Sequence, residues 1–192
     1  MMKSTVSLLN KPLKILLITD TLVLIAGAMI IPYYALFVEK IGGDILDAGL
    51  AAGVYAVVAG FATLASGKWG DRVHRKEWIV GGSYLVMALC FVAYLFVDSM
   101  WMLLAVQVVL GLAQAVYAPA YDALYTSHIG GPRMASSRWG VWEASNFFAI
   151  AIGAIVGAAL VHYTTFTGLL LAMAGLCVLS GLYLLSLPRR AV

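Results

Sequence analysis

Gly67-Lys68-Trp69-Gly70-Asp71-Arg72-Val73-His74-Arg75-Lys76 interrupts a chain that is otherwise apolar for long distances on either side. Four cations in ten residues cannot sit in hydrocarbon, whereas the flanking runs, about 48–67 and about 78–97, are each long enough to cross it. The pair therefore reads as a transmembrane helical hairpin with a basic turn. Extending the same reading outward gives six spans, at about 13–38, 48–67, 78–97, 101–125, 138–162 and 166–187.

Composition agrees with this reading. Of 192 residues, 63% are hydrophobic and 11% charged, against roughly 25% charged in a soluble domain. The mean hydropathy is +0.97, which excludes a soluble globular domain. Six spans use the chain up, so residues 1–192 read as a single bundle with no separate soluble domain.

The positive charges alternate with the spans. Lys3, Lys11 and Lys14 precede the first span, and Lys68, Arg72, Arg75 and Lys76 follow the second. Arg133 and Arg138 follow the fourth, and Arg189 and Arg190 follow the sixth. Of the twelve basic residues, only Lys40 falls on the opposite side, beside Glu39, Asp44 and Asp47. The excess of Lys and Arg on one side predicts that both termini face the cytoplasm of a cell (plasma or inner) membrane. The first apolar run is too long for a signal-peptide core and contains Asp20, so it is expected to be a retained span. Cys90 and Cys177 lie inside apolar runs and read as packing residues. The basic loops serve as membrane anchors, and no nucleic-acid partner is expected.

The chain matches itself at an offset of 87 residues. Pro32 and Tyr34 fall on Pro119 and Tyr121, Gly53-Val54-Tyr55 on Gly140-Val141-Trp142, and Cys90 on Cys177. The offset is three spans, an odd number, so the second unit (about 101–187) would lie inverted relative to the first (about 13–97).

The basic loop resembles the signature of the major facilitator superfamily, G-x-L-A-D-R-x-G-R-K, with Gly67, Asp71, Arg72, Arg75 and Lys76 in register. Trp69 and His74 replace the usual Leu and second Gly. The resemblance covers the whole chain, but only as that superfamily's N-terminal six-helix half. It implies an all-α membrane protein whose six transmembrane helices form two inverted three-helix repeats, half of the superfamily's fold. It also implies a cytoplasmic clasp, in which Asp71 braces a helix of the other half and Arg75 reaches Asp122 at the end of span four. Such a clasp would favour the outward-facing state. Two departures speak against proton-coupled drug efflux. Span four has Gln107-Val108-Val109-Leu110-Gly111 where antiporters usually carry Arg, and Gly153-x-x-x-Gly157 in span five lacks their Pro.

Residues that could line a pathway follow from spacing. Gln107, Gln114 and Tyr121 are seven apart and share one face of span four. The repeat maps them onto Asp20, Gly27 and Tyr34 of span one. An acid within a span is a functional candidate by default, although Asp20 could equally be a wetted or Lys14-paired acid near the cytoplasmic face. Glu143 and Asn146 are further candidates, with Trp139 and Trp142 beside them as interfacial anchors. Small residues at Gly49, Gly53 and Gly60 of span two, and at Gly153 and Gly157 of span five, suit close helix contact.

The sequence thus predicts a half-size transporter for a small solute, with a proton as a candidate coupling ion and no cofactor. It would work by alternating access as a parallel homodimer through spans two and five, because a second copy must supply the other half. The competing class is a six-helix module that scaffolds or regulates a partner membrane protein without transporting. No nucleophile elbow, zinc motif or histidine cluster supports an enzyme or a metal site.

Overall fold

A computed structural model describes residues 9–187. Lys3, Arg189 and Arg190, used above for orientation, lie outside them. All six spans are present as helices: Lys11–Lys40, Ile45–Gly70, Lys76–Phe96, Met100–Ser127, Pro132–Tyr163 and Phe166–Ser186.

Local chemistry sets their ends. Asn10 caps the first helix by accepting from the Leu13 amide at 3.1 Å, satisfying an amide that would otherwise lack a partner. Asp44 and Asp47 form a reciprocal capping box, with bonds of 2.9 and 3.0 Å, so span two starts at Ile45 rather than near 48. Span five starts six residues earlier than its hydropathy suggests. Gly130 and Gly131 turn the chain at φ 76° and 116°, where a side chain would be strained, and Pro132 is pre-set for the first helical turn. Span one is an α-helix over Lys11–Ile30, a 3-10 turn over Ile31–Tyr33 and a short α-helix over Tyr34–Lys40. Pro32 lies in that turn, where its missing N–H interrupts the ladder. Its repeat mate Pro119 sits inside one continuous helix. The basic loop is closed by Lys76, whose ammonium donates to the Gly70 and Val73 carbonyls at 3.2 Å each.

The bundle is interlocked. Span two packs on span four and span five on span one, while span three contacts spans four and six and span one contacts span six. Exchanging each span for the one three places away leaves this pairing unchanged, as inverted three-helix units require. Individual contacts obey the same exchange. Ser66 of span two donates to the Ala115 carbonyl of span four at 2.5 Å. The counterparts of this pair at the same offset, Gly153 (87 residues after Ser66) and Ala28 (87 before Ala115), meet so closely that a Cβ on Gly153 would lie 2.7 Å from the Ala28 Cβ. Spans two and five are the most open, with 11% and 17% of their apolar stretch covered, against 33–56% for the other four.

Candidate functional site

Spans one to five line a partly open cavity of about 590 Å³. Its polar lining is Tyr34 from span one, Tyr55 from span two, Tyr94 from span three, Gln107 and Gln114 from span four and Asn146 from span five. Val23, Gly27, Met87, Phe91 and Leu110 are among its apolar walls. Gln107 and Gln114 line this cavity from span four, and Gly27 and Tyr34 from span one, so these members of the two seven-residue stripes share one space. The Gln107 amide donates to the Tyr34 hydroxyl at 2.5 Å, joining the two stripes across the cavity.

Asp20 does not line this space. It is 1% exposed and accepts hydrogen bonds from three other spans: the Tyr84 hydroxyl at 3.1 Å, the Tyr117 hydroxyl and the Trp142 indole at 2.8 Å. Lys14, by contrast, is exposed. The expectation of a wetted or Lys14-paired acid is corrected, because neutral donors on spans three, four and five surround the carboxyl. A buried carboxyl needs such donors to replace its hydration. Tyr117 both lines the cavity and bonds Asp20, and so connects the two.

Tyr121 is likewise beneath the cavity rather than on its wall. It is 1% exposed, its hydroxyl has no hydrogen-bond partner among the described residues, and its ring lies between Tyr117 and Tyr125. The aromatic string continues through Tyr125 to Trp139 and Trp142, with centroids 5.0 and 5.5 Å apart. These two tryptophans are internal packing groups more than interfacial anchors. Glu143 is exposed and outside the cavity lining, which corrects its place among the cavity candidates, whereas Asn146 one turn away does line it.

At the basic loop, Asp71 caps the end of the span two helix through its backbone and is exposed, as are Arg72 and Asp122. Arg75 is paired with Glu77 at 3.2 Å rather than with Asp122, and its guanidinium lies 4.2 Å over the Trp78 ring. The clasp between Arg75 and Asp122 is not made in this conformation. Reading the sequence alone missed Tyr84, Tyr117 and Trp142. The Tyr117-Tyr121-Tyr125 series, at four-residue steps, was the one visible signal for them.

Fold and cavity together define a multi-pass membrane protein with an internal, solute-sized site. The family model of the Major Facilitator Superfamily matches residues 16–192, and the chain belongs to that superfamily. It is similar to Multidrug resistance protein MdtG of Salmonella dublin, 28% identical over 186 residues, which covers 92% of this chain and 45% of that protein. The protein of the same name from Salmonella heidelberg is 27% identical over the same coverage. The chain thus spans about half the length of the curated relatives it matches. This is a family of transporters and not of enzymes.

Proposed function

We propose that this chain is a half-size transporter that moves a small, largely apolar solute by alternating access, paired in parallel with a second copy of itself. The observation that carries this reading is the cavity of about 590 Å³, a volume in the range of sites for drug-sized molecules. Its walls are aliphatic and aromatic with a few amide and hydroxyl groups, which suits an amphiphilic organic solute. The name of the relatives, multidrug resistance protein, supports the same class.

The open faces of spans two and five support the homodimer. Phe61 and Phe148, repeat mates on those spans, are 74% and 64% exposed and would meet the partner. Repeat units of about 13–97 and 101–187 would rock as pairs around the shared cavity. Asp20 is the candidate proton carrier, with Tyr117 as its link to solute. The clasp would form when Arg75 exchanges Glu77 for Asp122 and Asp71 braces the partner. The basic loops support a cytoplasmic placement of both termini in the cell membrane.

Reconstituting the purified chain into liposomes and following uptake of a panel of lipophilic dyes and neutral drugs tests this. Solute flux abolished by Asp20→Asn is expected. Absence of flux for every solute, from protein that is folded and correctly inserted, would support the non-transporting module instead.

A further inference from the structure

We infer that the chain carries a binding site for one anionic phospholipid, in a groove between spans two, three and four on the side of the basic loops. The groove is shallow and open to the surroundings, with a volume of about 620 Å³, and shares no lining residue with the cavity described above. Trp69, Arg75 and Trp78 stand at its mouth, and Gly82, Val86, Leu112 and Val116 are among the residues along its length.

Three observations converge on a lipid. First, the depth matches one leaflet. From Trp78 to Val86 the helix of span three descends about 12 Å at 1.5 Å per residue, and half of a hydrocarbon core is about 15 Å. Second, the deep walls are apolar and open outward: Val86, Val109 and Leu112 are 37%, 45% and 45% exposed, which an acyl chain would cover. Third, the mouth is built for a phosphate diester. The Arg75 side chain is 35% exposed and is held in place by Glu77 at its Nε and by the Trp78 ring beneath it. A guanidinium fork suits phosphate geometry. Arg75 is the one cation among the groove's lining residues, and the loop that carries it holds Lys68, Arg72, Arg75 and Lys76 against Asp71 and Glu77, so a headgroup with net negative charge is favoured over a zwitterion. Trp69 and Trp78, both more than half exposed, sit where aromatic residues seek the headgroup level.

Native mass spectrometry of the detergent-solubilised chain, offered equal amounts of phosphatidylglycerol and phosphatidylcholine, tests the site. One phosphatidylglycerol should be retained in preference. Arg75→Gln should lower that retention about tenfold, the loss of one charge-assisted contact. Gly82→Leu fills the groove without touching the charge, and a Cβ at Gly82 meets nothing within 4 Å, so it should fold and also lose the lipid. Val86→Trp is a second filler at an exposed position. Excess inorganic phosphate should not displace the lipid, because it lacks acyl chains. Equal retention of the two lipids, displacement by phosphate, or undiminished retention in both fillers would overturn the inference.

Discussion

The indole N–H of Trp142 donates to the Asp20 carboxylate at 2.8 Å, across 122 residues of sequence. With Tyr84 and Tyr117 it gathers spans one, three, four and five at one point below the cavity. A hydrogen bond to a buried carboxyl is worth more than an ordinary one, because the group left behind would have no water to turn to.

Trp142→Phe keeps an aromatic ring, smaller than the indole, and removes that donor. A loss of about 1–3 kcal/mol is expected, read as a lower unfolding temperature in detergent. Tyr84→Phe should act in the same direction. If both variants melt with the unmodified chain, the three-donor cage does not hold the spans together.

Glycines on spans two and five should separate into two classes. A Cβ on Gly157 would collide with the Met29 backbone, and one on Gly153 would lie 2.8 Å from the Ile25 carbonyl oxygen. Leucine at either position should prevent span five from seating on span one, costing about 3 kcal/mol or more. A Cβ on Gly53 or Gly60 meets nothing within 4 Å. Leucine there should leave the folded monomer intact and weaken the proposed dimer, which cross-linking through Phe61→Cys would report. Undiminished cross-linking in Gly53→Leu and Gly60→Leu would place the partner elsewhere.

The bond from Gln107 to Tyr34 spans the cavity, so Gln107→Leu should loosen it and make the lining more apolar. For a reconstituted transporter this predicts altered solute selectivity, with polar solutes losing about tenfold in apparent affinity for one lost hydrogen bond. Unchanged half-saturation for every solute would remove Gln107 from the binding surface.

In the proposed clasp, Glu77 would compete with Asp122 for Arg75, which it holds at 3.2 Å. Glu77→Gln should release the guanidinium toward Asp122 and raise the outward-facing population. Ala52 lines the cavity, and a cysteine placed there should then react faster with an impermeant thiol reagent added on the side opposite the basic loops. Slower or equal reaction would argue against the clasp.

The helices were legible because hydrocarbon imposes a length and excludes charge, and both leave marks in composition. The pathway face on span four was legible from Gln107 and Gln114 because a seven-residue step returns to the same side of a helix. The step gives a face but not a depth, which is why Tyr121 falls under the cavity floor and not on its wall. Glu143 shows the same limit: it lies one turn from Asn146 on span five, yet it is exposed and outside the cavity lining. The donors to Asp20 could not be read at all. Tyr84 and Trp142 are 64 and 122 residues away, and nothing local to Asp20 encodes which spans will pack against it. The repeat was a partial guide, since it pairs Trp142 with the cavity residue Tyr55.

The interlocking of the two units bears on how the chain is assembled. Span one cannot reach its final neighbours until span five exists, and the span one carboxyl has no donor from its own hairpin. During synthesis Asp20 must wait for Tyr84, then Tyr117, and last Trp142, each delivered by a later helix. The first half of the bundle is therefore an unfinished lattice that closes only when the second is threaded into it. Truncation after span three should yield inserted but unsettled helices rather than a smaller working domain.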